Sequence, residues 1–170
     1  MKKVMIIGSP GAGKSTFARS LRDVTGLPLY YLDMIWHKPD KTHISREEFD
    51  IRLRELTALD EWIIDGNYSR TLELRLCACD TVFLLDFPTE TCLAGAKSRI
   101  GHKREDLPWF EEEFDEEFRQ FIIDFPFEHL PAIYEMLEKY QKDKEIIIFK
   151  TRVESEEYLE KLKIACIEKS

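Results

Sequence analysis

The sequence predicts an α/β fold, a parallel sheet covered by helices on both faces, and three observations carry that prediction. Five short, nearly all-apolar runs, at 3–7, 29–32, 62–64, 81–85 and 145–149, alternate with longer stretches of helical spacing. Strands apolar on both sides belong to sheets buried on both sides, and those are parallel sheets with helical crossovers. A glycine-rich segment, Gly8-Ser9-Pro10-Gly11-Ala12-Gly13-Lys14-Ser15, joins the first run to the first helical stretch. The second, third and fourth runs each close on an aspartate, Asp33, Asp65 and Asp86, which would gather polar groups along one edge of such a sheet.

Taken in order, the first strand covers 3–7, and the helix after the glycine segment ends at Gly26 with Pro28 just beyond, a glycine stop and a residue that cannot prolong a helix. Residues 29–32 form the second strand. Residues 34–42 lack a period and are expected to be loop, after which Ser45 and Glu48 make a capping box for a helix with Phe49, Leu53, Leu56 and Leu59 on its apolar face. The third strand spans 62–64, and Leu72, Leu74 and Leu76 mark a helix over 69–78. The fourth strand spans 81–85, with Pro88 in the first turn of a helix that stops at Gly101. Residues 101–109 are charged and aperiodic, a mobile loop. An acidic helix over 111–125 should place Phe114, Phe118, Phe121, Ile122 and Phe125 on one side, with Pro126 and Pro131 interrupting before a second helical run. Residues 145–149 form the fifth strand, and an amphipathic helix over 156–167 closes the chain.

Composition narrows the function. A chain of 170 residues with 44% hydrophobic and 34% charged residues is an ordinary folded protein, and with no repeat, low-complexity stretch or linker it is expected to be one domain over 1–170. A formal net charge of −8 without a run of Lys or Arg disfavours direct nucleic-acid binding, which needs a basic face. The opening Met1-Lys2-Lys3 is followed by only a short apolar run, too short for a signal peptide, and no stretch approaches a membrane span. A cytoplasmic protein without membrane partners is expected. Cys77, Cys79, Cys92 and Cys166 include one C-x-C pair and no accompanying His cluster, so they read as reduced, partly buried thiols rather than a zinc site or a disulfide framework. The Glu and Asp run after residue 110 reads as a solvated helix face rather than a metal site. Oligomeric state is left open.

The glycine segment is a G-x-x-x-x-G-K-[ST] pattern in the strand-to-helix setting that a phosphate-binding loop requires. Gly8, Gly11 and Gly13 allow the backbone, through Ala12 and on to Thr16, to turn its N–H groups toward an anion that the helix dipole also attracts. Lys14 would add a point charge on the β- and γ-phosphates, and the Ser15 hydroxyl would hold Mg²⁺. Asp65, followed by a glycine that permits close approach, is the candidate for the metal's outer shell or for the acceptor. Asp33 is placed to orient an acceptor hydroxyl or take its proton. Asp86, ahead of Phe87-Pro88, is expected to satisfy N–H groups at a helix start and is left out of the site. Phosphoryl transfer also needs mobile cations; Arg99 and, in the loop after it, Lys103 and Arg104 are the candidates, against the plainer reading of surface charges at a helix C-terminus. Arg70 is a third, for an acceptor phosphate. Trp36, Tyr68 and Trp109 either stack a flat substrate or pack at the rim.

With Gly8-Ser-Pro-Gly-Ala-Gly-Lys-Ser15, Tyr31-Leu-Asp33-Met-Ile-Trp36, Trp62-Ile-Ile-Asp65-Gly66-Asn67-Tyr68-Ser69-Arg70 and Asp80-Thr-Val-Phe-Leu-Leu-Asp86-Phe-Pro88 assembled, the chain resembles the adenylate-kinase-like P-loop proteins, and within them the group labelled DNA topology modulation protein, or FlaR-like. The resemblance runs to about Arg104 and more loosely beyond. It implies a three-layer P-loop NTPase fold with a five-stranded sheet of order 2-3-1-4-5, ATP with Mg²⁺, an acceptor-binding segment over 34–60 and a short lid over 101–110. Asp65-Gly66-Asn67-Tyr68-Ser69-Arg70-Thr71 is similar to the Asp-Gly-Phe-Pro-Arg-Thr of adenylate kinases, one residue longer, which would make Arg70 the acceptor-phosphate arginine and bring Asn67 and Trp36 to the substrate. Asp33 looks instead like the acceptor aspartate of shikimate and gluconate kinases, so the acceptor class stays open. The chain departs from the group at Pro39-Asp40-Lys41, where Pro-Gly-Trp would be expected, and at 123–131, where His129 is the only candidate cation.

The leading reading is therefore an ATP-dependent phosphotransferase with Lys14, Asp33, Asp65, Arg99 and Arg104 at the reaction and an unidentified small-molecule acceptor. The alternative is an ATP-binding regulatory protein with little or no turnover that acts through a partner. A GTPase is disfavoured, since no Asn-Lys-x-Asp motif is present and no Asp-x-x-Gly follows the third strand.

Overall fold

The computed structural model describes residues 1–167. Five strands, β1 (Lys3–Gly8), β2 (Leu29–Tyr31), β3 (Trp62–Asp65), β4 (Thr81–Leu85) and β5 (Glu145–Phe149), form one parallel sheet in the order β2-β3-β1-β4-β5. Alternation along each central strand divides the core into two. Val4, Ile6, Ile63, Phe83 and Leu85 face one layer, and Met5, Ile7, Ile64, Val82 and Leu84 the other. Helices α1 (Lys14–Thr25), α5 (Thr89–Lys97) and α8 (Arg152–Ile167) cover the first layer, whereas α3 (Arg46–Ala58), α4 (Leu72–Ala78) and α7 (Leu130–Tyr140) cover the second. The all-apolar strands are buried because they are central, and β2 and β5, on the edges, are only partly so.

Several elements depart from the sequence expectation. Tyr31 runs directly into a five-residue helix, α2 (Leu32–Trp36), so that Asp33 lies in a helical first turn, and the rest of that segment is a tight antiparallel return bridged between His37 and His43. The acidic helix, α6 (Glu116–Glu128), starts at the Asp115 cap, leaving Phe114 outside, and continues through Pro126. A proline forfeits one helical hydrogen bond, but buried Ile122 and Phe125 anchor the turns beside it. The break falls instead at His129, and Pro131 occupies the first turn of α7, where its missing N–H costs nothing. Closing helix α8 starts at Arg152, earlier than the apolar period suggested. Asp86 caps no helix: it accepts hydrogen bonds from Tyr134 and Lys150, and the cap position of α5 is Pro88, without a side-chain bond. Cys77, Cys79 and Cys92 form no disulfide, Cys79 and Cys92 being buried and Cys77 exposed. Among the described residues, no helix is long and apolar enough to cross a membrane.

Register fixes what meets at the carboxyl edge. Ile6 of β1 lies opposite Asp65, which lies opposite Tyr31, and Gly8 lies opposite Leu85. The glycine segment, Asp65 and the β2–α2 junction thus leave the sheet side by side.

Candidate active site

The loop from Gly8 to Ser15 takes its shape from close packing. A Cβ on Gly8 would lie 2.2 Å from the carbonyl oxygen of Leu85, and one on Gly11 2.1 Å from that of Cys92, so β4 and α5 press directly on the loop backbone. Gly13, by contrast, faces open space and is required for its φ of 90° at the cap of α1. Asn67 braces the loop from β3, accepting from Gly8 N–H (3.0 Å) and donating to Gly8 C=O (2.9 Å). Ala12 packs into the core, and Thr16 is exposed, its hydroxyl accepting from Arg19.

A cleft of about 730 Å³ opens at this edge. It is lined by Pro10, Gly11, Lys14 and Ser15 of the glycine-rich loop, by Asp33, His37, Asn67 and Tyr68 from the segments after β2 and β3, and by Arg99, Arg104, Asp106 and Trp109 from the segment after α5. Lys14 folds back onto the loop, donating to the carbonyls of Gly8 and Ser9 at 3.0 Å each, and burial lowers its pKa. Ser15 Oγ meets Asp65 Oδ2 at 2.6 Å and Asp106 Oδ2 at 2.8 Å. The other Asp65 oxygen is buried without a partner. Burial, against the attraction of Lys14, pushes Asp65 up to about 6. Burial also pushes the Asp106 carboxyl up, but its bond to Arg104 prevails and holds it below the usual carboxylate range.

The raised Asp65 pKa makes a stability prediction. The folded protein holds this proton more tightly than the unfolded chain, so the contribution to stability is complete below about pH 4 and is lost as pH rises through about 6. At about 1.36 kcal/mol per decade of acidity, the gap from 3.8 is worth roughly 3 kcal/mol. Calorimetric melting of Asp65→Asn beside the parent should show that part of the fall in stability between pH 4.5 and 7 (about 2 kcal/mol or more) disappear in the variant. Parallel pH profiles would contradict it.

The expected site residues do not all converge. Gly8, Gly11, Gly13, Lys14, Ser15, Asp33, Asp65, Asn67, Arg99 and Arg104 gather at the edge. Arg70 does not: its guanidinium forks onto Asp50 on α3 at 2.7 and 2.9 Å, on the surface and away from the cleft. Trp36 is also absent from the lining, stacked on His43 and set edge-on to Phe49. Its neighbour His37 takes that place, with Trp109 edge-on at 4.7 Å; the buried His37 Nδ1 has no partner, and burial lowers its pKa. Tyr68 donates to Asp33 Oδ1 at 2.8 Å, which leaves Oδ2 without a hydrogen bond among the described residues. Arg99 lines the cleft with its Nε buried and unbonded, whereas Arg104 is tied to Asp106 and Glu111. The aromatic stripe is split: Ile122 and Phe125 enter the core, and Phe114, Phe118 and Phe121 wall the cleft.

Two buried groups escaped the sequence reading. Asp106 was hidden because its partner is 91 residues away. Arg75, fully buried, donates to the carbonyls of Gly66, Asn67, Tyr68 and Thr71 and so fixes the loop that carries Asn67 and Tyr68. A signal was present: Leu72, Arg75, Leu76 and Cys79 share one helical stripe, where an arginine must find buried acceptors.

Sheet order and phosphate loop together define the P-loop kinase fold. The chain superimposes on shikimate kinase from Acinetobacter baumannii, solved with shikimate, at a TM-score of 0.63, with 16% identity over 100% of this chain and 95% of that one. Shikimate kinase from Bacteroides thetaiotaomicron gives 0.55 at 15% identity over 95% and 96%. A gluconokinase from Sinorhizobium meliloti gives 0.54 at 11% over 98% and 92%. In sequence, adenylate kinases from Thermotoga petrophila and Thermotoga maritima are each 28% identical over 88 residues. That match spans 51% of this chain and 39% of the length of those relatives. No protein-family model matches the chain.

Proposed function

We propose that the protein is an ATP-dependent kinase that transfers the γ-phosphoryl group to a hydroxyl of a small molecule. The observation that carries this reading is that the glycine-rich loop, with Lys14 and Ser15, and the Asp33 carboxylate line one cleft. The fold shared with shikimate kinase and gluconokinase supports it, as does the pairing of Arg70 with Asp50, which keeps the arginine expected for an acceptor phosphate out of the cleft.

In this scheme the loop amides and Lys14 hold the donor phosphates, and Lys14 leaves the carbonyls of Gly8 and Ser9 to do so. Asp33, oriented by Tyr68, accepts the proton as the acceptor oxygen bonds to the γ-phosphorus and the bond to the ADP oxygen breaks. Arg99 screens the transferring group, and the lid excludes water. The donor set fits Mg²⁺, a hard cation that takes oxygen ligands: Ser15 Oγ and Asp65, whose buried Oδ1 lacks a partner, would hold it. When bound, it would neutralise charge on the phosphate oxygens. We place the protein with the FlaR-like topology modulation group on its shared motifs, in the cytoplasm, with any effect on DNA indirect given the charge of −8.

The test is ADP release from Mg·ATP with nucleosides, nucleoside monophosphates and small hydroxy acids. Release stimulated by a hydroxyl compound establishes the kinase and its acceptor class. Stimulation by a nucleoside monophosphate would move the acceptor to phosphate, and nucleotide binding without stimulated release would favour the regulatory reading.

A further inference from the structure

The kinase reading assigns Ser15 and Asp65 to the metal and leaves Asp106 unexplained. This carboxylate belongs to the lid, is 4% exposed, and shares the Ser15 hydroxyl with Asp65. Three oxygens therefore converge, Ser15 Oγ with Asp65 Oδ2 at 2.6 Å and Asp106 Oδ2 at 2.8 Å. A serine hydroxyl has one proton to donate. It can satisfy one carboxylate, so the other approach needs either an added proton or a cation among the oxygens. Oxygen donors of this kind suit a hard divalent cation.

The lid is built to hold Asp106 there. Arg104 forks onto both of its oxygens, at 3.2 and 2.6 Å, and its remaining nitrogen is bonded to Glu111. Gly101 N–H donates to Glu111 C=O at 2.9 Å and draws the two ends of the lid together. Leu107, the next residue, is buried, and Trp109 lies edge-on to His37 on the acceptor side. The position of Asp106 thus fixes how the lid lies over both halves of the cleft.

Building on the proposed kinase reading, we propose that Asp106 is the lid's ligand or outer-shell acceptor for the cation held by Ser15 and Asp65, so that metal binding and lid closure are one event. Among the described residues, no group of three or more His, Cys, Asp or Glu side chains could hold a metal by itself. Most of the coordination must then come from phosphate oxygens and water, so the cation arrives with the nucleotide and draws the lid down. Arg104 is a positioning residue in this device, which explains why a cation at the mouth of an anion site is tied to two carboxylates.

The experiment titrates a non-hydrolysable ATP analogue, with and without Mg²⁺, into the parent, Asp106→Asn, Asp106→Glu and Asp65→Asn. Calorimetry reads affinity. Trp109 fluorescence reads the lid, with Trp109→Phe identifying its share of the signal. Asp106→Asn is expected to lose about 10- to 100-fold of the affinity gained from Mg²⁺ and to lose the Mg²⁺-dependent Trp109 change. Asp106→Glu, which keeps the charge and the fork with Arg104, should recover most of both. A full Mg²⁺ dependence in Asp106→Asn, or tighter Mg²⁺-dependent binding, would overturn the proposal and make Asp106 a latch on the empty loop. If Asp65→Asn keeps its Mg²⁺ dependence as well, or the parent binds no analogue, the kinase reading of the loop fails with it.

Discussion

Replacing Lys14 with alanine should lower acceptor-stimulated ADP release by about 10³-fold, the scale seen when one preorganised donor to developing charge is removed, while leaving the fold intact. Lys14 donates to Gly8 C=O and Ser9 C=O, but Gly8 C=O also accepts from Asn67 and Ser9 C=O from Ala12 N–H, so neither carbonyl is orphaned. Burial already lowers the Lys14 pKa, so its charge is held at a cost when no nucleotide is present. Melting should stay within about 3 °C of the parent, which corresponds to roughly 1 kcal/mol for a chain of this size. A variant that turns over at the parent rate would remove the loop from the reaction. One that fails to fold would mean that the loop needs Lys14 as a strut.

Arg75 should behave in the opposite way. Its guanidinium is fully buried, has no carboxylate partner within salt-bridge distance among the described residues, and serves backbone carbonyls alone. Desolvation lowers its pKa to about 10. Arg75→Met keeps the stem but leaves the carbonyls of Gly66 and Asn67 without this donor, Tyr68 C=O keeping Thr71 N–H and Oγ1, and an unmet buried acceptor costs about 1–3 kcal/mol. A loss of about 3–5 kcal/mol is expected, read as a fall in melting temperature of roughly 10 °C or more. Arg75→Lys should not restore it, since a single ammonium cannot replace the planar fork. Where the variant folds, apparent acceptor affinity should fall more than donor affinity, because the loosened loop carries Tyr68, which orients Asp33. An Arg75→Met protein that melts with the parent would show that water replaces the fork.

These two residues mark the boundary of what the sequence discloses. Lys14 was legible because its meaning is local: strand, glycine spacing, lysine, helix. The central strands β1, β3 and β4 were legible for the same reason, since burial on both faces writes a continuous apolar run, and the partly buried edge strands β2 and β5 carry a similar run. Asp106 acts on a hydroxyl 91 residues distant, which no short window contains, whereas Arg75 acts on carbonyls four to nine residues back and shows in the sequence only as an arginine on an apolar helical stripe. Arg70 illustrates the converse. It sits where a resemblance places an acceptor arginine, yet Asp50, on the neighbouring α3, captures it first. The exchange of Trp36 for His37 has a similar cause, because Trp36, the last residue of α2, packs on His43 and Phe49. Pro126 failed as a helix breaker because packing outweighed one missing bond.

The contact between the phosphate loop and α5 bears on how the protein can move. Gly95 stands so near Gly11 that a Cβ there would lie 2.2 Å from the Gly11 carbonyl oxygen, and Gly11 returns the approach toward Cys92. Nothing compressible separates them. Loop and helix must shift as one rigid body, and the lid departs from the end of that same helix. In the proposed kinase the glycine-rich loop would therefore be the fixed jaw of a clamp, with any excursion left to the segment beyond Lys97.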